Sequence, residues 1–461
     1  MVNVTDKPES LHRLVRPSLS TVGSDEAAHG TELVAAVTMA AALAAINFRC
    51  KLLFWSHDMA QQLTSDPSQT DKTNPLAYCA KRESLRTDIP ILDDIVTRLV
   101  GKALVRQEPL NWGISAEAAG IIQLLLWPLA TAILVLIHSS GMAWSGFLSS
   151  VFSGYFCWLL TCVAVGSLRD GAMGANGHEA PHGAISTSKA FNHYIASISR
   201  GLARDLPPEM YQTVHIGRNS HHDVRRTAVS CADTAEIVTW RFALGWPVYR
   251  YWLQFFALAL GPKIYLEHAA RGIVAMATST NWSFKLASLA AHLVVFGSLW
   301  MLPFHVWVWA IAVPSLIGVP LARLVHAISE HLWTPNGKAA ANLIELIRLY
   351  CTERLIGLPA PDVPKPNLHS FLLWTIWWLK HLIWLWPLGL AILPGGNRRH
   401  GAHHAFAGRV MWYDMPFYVQ KRLEEGDDAA AALRDAEVWG GPIAHMARTF
   451  EAMSKRGSNQ P

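Results

Sequence analysis

The chain has 461 residues, of which 51% are hydrophobic and only 16% charged, with 20 tryptophans and a formal net charge of +5. That balance points to a bilayer protein rather than a set of soluble domains, and so mild a basic excess, with no Lys/Arg run, excludes a nucleic-acid footprint. The six cysteines form no C-x-x-C pair and no zinc or iron-sulfur spacing, so they read as free thiols in a reducing compartment.

Residues 1–30 are polar, carry Asp6, Glu9, Asp25 and Glu26, and lack the short apolar core of a cleaved signal peptide. An Ala-rich apolar stretch at 33–48 is barely long enough to cross a bilayer. Residues 57–118 read as a polar cytoplasmic segment, helical around Asp93 to Leu104, so that 1–118 forms an N-terminal peripheral region. Four apolar runs then reach the roughly 20 residues that a span needs: 119–138, 145–167, 286–303 and 305–325. The connections from His138 to Trp144 and at Pro303-Phe304 carry no Lys or Arg, whereas the flanks do (Lys81, Arg82, Arg98, Lys102 and Arg106; then Arg169, Arg200, Arg204, Arg218, Arg225 and Arg226). The positive-inside rule therefore puts both hairpin tips outside and the long polar segments in the cytoplasm.

The stretches 240–260 and 371–393 mix Trp with Arg241, Arg250, Lys380 and His381, a composition that suits the headgroup level and predicts in-plane or re-entrant helices. The tail, 411–461, reads as a cytoplasmic segment with an Ala-rich helix. The expected fold is an all-α integral membrane protein with four to six transmembrane helices in hairpins, in-plane helices, and a cytoplasmic cap holding a histidine cluster. Its catalytic domain would cover 119–410.

Four histidine clusters flank these runs: His178-Glu179-Ala180-Pro181-His182, His215 with His221-His222, His326 with Glu330-His331, and Arg399-His400-Gly401-Ala402-His403-His404-Ala405. With two complete hairpins all four fall on one membrane face. His178 and His182 are four residues apart, as are His400 and His404, which puts each pair on one helical face, with His403 on the same side as the second pair. Neighbours such as His221-His222 and His403-His404 diverge by about 100° on a helix, so each pair can feed two different metals or two corners of one. Nine candidate ligands (His178, His182, His215, His221, His222, His331, His400, His403, His404) exceed what one ion of four to six ligands uses, so two metals are implied, with iron, zinc and copper as candidates. Glu179, Asp223, Asp233 and Glu330 are placed to accept the outer ring N–H of a ligand.

Other readings compete. His138, His292, His305 and His381 sit singly in apolar runs, where packing or an interfacial place is the ordinary role. His193 and His268 read as loop or interfacial residues. His178-Glu179-x-x-His182 also matches the zinc metalloprotease motif, although Pro181 is awkward in the mid-helix setting which that motif requires. A metal transporter would carry its histidines inside the spans, and a bis-histidine haem protein would use His138 or His292.

The ordered boxes resemble the membrane fatty acid desaturase superfamily, over roughly residues 119–410. They are closest to its branch of bacterial alkane hydroxylases and xylene monooxygenases, in which an extra Glu-His box precedes a last box reading Arg-His-x-x-His-His-Ala. This sequence departs from the pattern in two places: five residues separate His215 from His221, and no proline follows His404 in Ala405-Phe406-Ala407-Gly408. The resemblance implies a non-haem di-iron centre (two iron ions) that activates O2 against an alkyl C–H bond of a lipid-like substrate, by desaturation or hydroxylation. His178, His182, His221, His222, His331, His400, His403 and His404 would be its catalytic residues. Electrons would come from an external ferredoxin, rubredoxin or cytochrome b5-type donor with its reductase, docked on a basic face that includes Arg225, Arg226, Arg398 and Arg399. Trp127, Phe156, Trp158 and Trp300 are candidates to line a substrate channel, with core packing as the alternative for each.

Overall fold

The computed structural model describes residues 80–140, 147–215, 237, 239–332, 340–361, 367–394, 398–406 and 412–457, all within one compact unit, Tyr78–Pro461. The expected helix at 33–48 and most of the second histidine cluster lie outside the described residues. The fold is helical, and among the described residues four helices are long and apolar enough to cross a membrane: Ala116–Ser139, Ser150–Glu179, Trp282–Trp300 and Phe304–Glu330. These match the four expected runs, each extended at one or both ends.

The chain enters through α1 (Pro90–Val100), which a glycine at Gly101 in the left-handed conformation (φ 91°) terminates. The first hairpin pairs α2 (Ala116–Ser139), capped by the Ser115 side chain, with α3 (Phe147–Met173). Ile121, Leu125, Leu129 and Leu136 are all exposed along one face of α2, a stripe that lipid accepts and water does not. Beyond α3 a π turn, Ala175–Glu179, carries the first histidine cluster.

Two amphipathic helices follow, α4 (Lys189–Leu202) and α5 (Pro208–His215), then α6 (Val248–Leu260) and α7 (Lys263–Thr278). At 13 residues α6 is about 20 Å long, shorter than a hydrocarbon core of about 30 Å. The second hairpin is α8 (Trp282–Trp300) and α9 (Phe304–Glu330). In α9 the ring of Pro314 cannot supply an N–H, and the helix widens into π turns over Val308–Gly318, with the Val319 N–H reaching Pro314 O.

The last part is built from α10 (Leu343–Tyr350), β1 (Glu353–Ile356), α11 (Leu368–Leu379), α12 (Trp386–Ile392), α13 (His400–Phe406), α14 (Met415–Glu424), α15 (Asp428–Asp435), β2 (Glu437–Gly440) and α16 (Pro442–Gly457). β1 and β2 pair in parallel, Glu353 opposite Glu437. α11 and α12 are joined by π turns at Lys380–Leu385, so the Trp-rich stretch is one continuous helical run. Within it His381 is fully buried, its Nε2 accepting the Leu358 N–H (3.1 Å) and its Nδ1 facing Trp377 O (2.8 Å), which makes it a packing residue.

The segment before the first span and the tail pack on each other. Arg98 donates to Tyr413 O (2.6 Å) and Asp414 (3.2 Å), and Lys102 donates to both oxygens of Glu437 (2.7 and 2.8 Å). Of the four aromatic residues considered for a channel, Trp127 is buried in the main core and Trp158 stacks on Trp384 at 6.5 Å. Phe156 and Trp300 face outward and are exposed, so neither lines an internal channel.

Candidate metal centre

The C-terminal ends of α3 and α9 both stop at a histidine cluster, and α13 lies against both. Histidines converge there in two groups of three, His178 with His182 and His403, and His331 with His400 and His404; in each group the ligand atoms lie within 4.8 Å of one another.

α13 is the shared element. His400 and His404, one turn apart, bring their Nε2 atoms to 3.1 Å, and His331 Nε2 lies 3.3 Å from His400 Nε2. Neighbouring imidazole nitrogens bound to one ion at about 2.1 Å would be about 3.0–3.4 Å apart, so this group already has the spacing of a metal triad. His403 does not stay on the side of His400 and His404, contrary to expectation. It turns to the other group, with its ring centroid 4.1 Å from that of His178 and 4.5 Å from that of His182. The two groups adjoin: the rings of His403 and His404 are 6.1 Å apart and those of His178 and His400 6.2 Å.

The first cluster reaches its place by a different route from the expected α-helix. Asp170 accepts the Ala175 N–H at 2.7 Å, the chain widens into the π turn, and Ala180 N–H bonds to Ala175 O at 3.1 Å. A tight turn then returns His182 to within 5.3 Å of the His178 ring, and Pro181 sits in that turn rather than inside a helix. Arg200 of α4, fully buried, braces the same turn by donating to Gly177 O at 3.0 Å and to Ala172 O at 2.5 Å. It also pairs with Asp205 at 2.9 Å. Burial alone would push the Asp205 carboxyl up, but the guanidinium groups of Arg200, Arg323 and Arg271 hold it below the usual carboxylate range. Gly177 packs so closely on Gly171 O that a Cβ there would overlap backbone. Gly177→Ala is therefore expected to displace the turn and lower the yield and melting temperature of folded protein, as read by fluorescence-detected size-exclusion chromatography. A variant that melts like the wild type would refute the close packing.

Two carboxylates orient the rings. Glu179 faces His178 Nδ1 at 2.9 Å and His403 Nδ1 at 3.0 Å, and Glu330 faces His400 Nδ1 at 3.3 Å. Each carboxylate fixes an Nδ1–H tautomer and leaves Nε2 for a metal. His331 gains the same restraint from Tyr350 O, 3.2 Å from its Nδ1. His326 is different. Arg354 Nη1 lies 3.4 Å from its Nδ1, its Nε2 lies 3.3 Å from Glu330 Oε1 without a hydrogen bond, and the ring belongs to neither histidine group. Burial lowers the Arg354 pKa to about 10, which still keeps it charged at neutral pH.

Behind α13 stands a set of buried charges that the sequence did not reveal. Arg399 pairs with Glu353 (3.1 Å) and Glu437 (3.3 Å), Lys102 pairs with Glu437, and Glu353 also accepts the Ala402 N–H at 3.0 Å. These contacts lock the turn that carries His400, His403 and His404. Arg398 and Arg399 are 5% and 2% exposed, so neither belongs to a docking face; what look like surface cations in sequence are buried supports.

His215 ends α5, whose Tyr211 ring lies 6.2 Å from that of His178, so this helix approaches the first group. His221, His222, Asp223 and Asp233, with Arg225 and Arg226, lie outside the described residues. His193 and His268, expected as loop or interfacial residues, both lie on helices: His268 is buried on α7, and His193 is an exposed residue of α4 facing Asn281 at 3.3 Å.

The donor set is imidazole nitrogen throughout, with carboxylates on the outer ring positions, a chemistry that suits iron, zinc or copper and not calcium or magnesium. The residues fit two metal ions, one per histidine group. No family model, no curated protein and no solved structure matches this chain.

Proposed function

We propose that the protein is a membrane non-haem di-iron oxidoreductase that uses O2 to hydroxylate or desaturate an alkyl chain of a lipid-like substrate. The observation that supports this best is the division of α13 between two adjoining triads, His403 in one and His400 with His404 in the other, at the C-terminal ends of two apolar hairpins. Two irons bound there would supply O2 activation and hydrogen abstraction from an unactivated C–H bond. Hydroxylation inserts one oxygen and reduces the other to water. Desaturation removes two hydrogens and yields two waters. Both consume two electrons and two protons from outside, so a ferredoxin, rubredoxin or cytochrome b5-type donor with its reductase completes the system, acting from the cytoplasmic face.

The residues of the chain do the rest. Glu179 and Glu330 set ring tautomers, the π turns at the ends of α3 and within α9 position the ligands, and the apolar helices keep bulk water from the reacting chain. The protease reading of His178-Glu179-x-x-His182 loses support on the same geometry: the Glu179 carboxylate is occupied by His178 Nδ1 and His403 Nδ1, whereas a protease base must face a metal-bound water.

The test is the metal content and Mössbauer spectrum of detergent-purified full-length protein, with product mass measured after turnover under 18O2 with a reductase system. About two coupled irons per chain are expected, with one 18O in a hydroxylated product or a loss of two mass units in a desaturated one. A single zinc, with no iron and no oxidised product, would overturn the proposal.

A further inference from the structure

Beside the metal centre, on the far side of the Arg399 support, lies a cavity of about 220 Å³ lined by Arg98, Gln123, Leu390, Arg398, Trp412 and Met415, among others. Three cations border it, and two are already neutralised. Arg98 is held by Asp94 at 2.7 Å and Asp414 at 3.2 Å, and Arg399 by Glu353 and Glu437. Arg398 is not. Its Nη1 donates to Arg98 O at 2.6 Å, its Nε and Nη2 have no hydrogen-bond partner, and no carboxylate among the described residues forms an ion pair with it. The side chain is 95% buried, taken from its 5% exposure, and the Trp412 Nε1–H on the same cavity also has no partner. A buried guanidinium with two unpartnered nitrogens is costly unless an anion completes it, and a fork of donors is the geometry that carboxylate and phosphate oxygens fit.

A second cavity, of about 400 Å³, adjoins the first, sharing Arg98, Trp412 and Tyr413 with it. Its other walls include Leu110, Trp112, Ile114 and Ala119. Trp112 and Ile114 are exposed just before the start of α2, which puts the mouth where the first span begins. Both cavities are lined mainly by apolar surface, the second also by Asn111 and Asp414, and the unmatched Arg398 borders the first alone, while Leu110, Trp112 and Ile114 border the second, so a molecule with a charged head and a hydrocarbon tail could place its head at Arg398 and its tail towards the mouth.

We propose that Arg398 and Trp412 bind the anionic head, carboxylate or phosphate, of a single-chain amphiphile whose tail lies against Leu110, Trp112 and Ile114. The site stands on residues outside both histidine triads, so it does not depend on the redox function proposed above.

The test is binding to the full-length protein in nanodiscs, by isothermal titration calorimetry, of dodecanoate, dodecyl phosphate and neutral dodecanol, with iron content measured on each preparation. At least one anion is expected to bind about tenfold or more tighter than dodecanol, and whichever anion binds tighter identifies the head. Arg398→Gln should weaken that anion about 30-fold or more while leaving dodecanol unchanged, since truncating one side of a buried charge pair is expensive. Trp412→Phe keeps the ring and removes only the N–H, so it should fold normally and weaken the anion about fivefold. Equal binding of dodecanol and both anions, or anion binding unchanged in Trp412→Phe and in folded Arg398→Gln, would overturn the site. Loss of anion binding in the variants of a protein that holds no iron would leave the site standing and remove the redox function.

Discussion

His404→Ala and His182→Ala are each expected to yield folded protein with about one iron per chain in place of about two, because each removes a ligand from a different triad. The remaining iron should lose its magnetic coupling, so the Mössbauer spectrum changes from that of a diamagnetic pair to that of an isolated paramagnetic ion. Turnover should fall by more than the roughly 10- to 100-fold typical of losing an outer partner of a metal ligand. His193→Ala, at an exposed position of α4, serves as the control and should keep both irons. Two irons retained in either triad variant would show that the histidine in question is not a ligand. A His193→Ala protein that also lost iron would show that the measurement reports general instability.

The four long apolar helices were legible because apolar runs of that length have few other uses, and all four appear where hydropathy put them. Their ends were harder. Arg169 and Asp170 look like the cytoplasmic stop of the second run, yet the helix continues past them, both are buried, and Asp170 is used to bond the start of the π turn. Histidine spacing gave the right neighbours for an incomplete reason: four residues between His178 and His182 bring the rings together through a π turn and a tight turn as well as through an α-helix. On α13 the 100° step between adjacent residues was the better guide, since it separates His403 from His404 and so puts them in different histidine groups.

What sequence could not convey is pairing over long separations. Lys102 meets Glu437 across 335 residues, and Arg399 reaches Glu353 and Glu437 from the other side. Nothing local marks these as partners, so Arg399 reads as surface charge when its role is to hold α13 in place. The same holds for His326: its Nδ1 is met by Arg354 from beyond the second hairpin, and the ring joins neither histidine group.

Glu179 carries the other large expectation. It is buried and faces the Nδ1 atoms of two histidines of one triad, His178 and His403, whereas Glu330 divides its contacts between one triad histidine, His400, and His326. Losing Glu179 should therefore cost more than losing Glu330. In Glu179→Ala two rings lose their tautomer restraint together, and iron affinity at that triad should fall by more than about 100-fold, the upper end for a single outer partner, while the second triad keeps its metal. Glu179→Gln retains one carbonyl oxygen, enough to accept from one ring but with no charge to favour the arrangement, and should fall between Glu179→Ala and wild type. Metal titration followed by optical or Mössbauer readout ranks the three proteins. If Glu179 instead served as a general base on a zinc-bound water, Glu179→Gln would retain full metal affinity and lose only turnover. That outcome would return the first histidine cluster to hydrolysis.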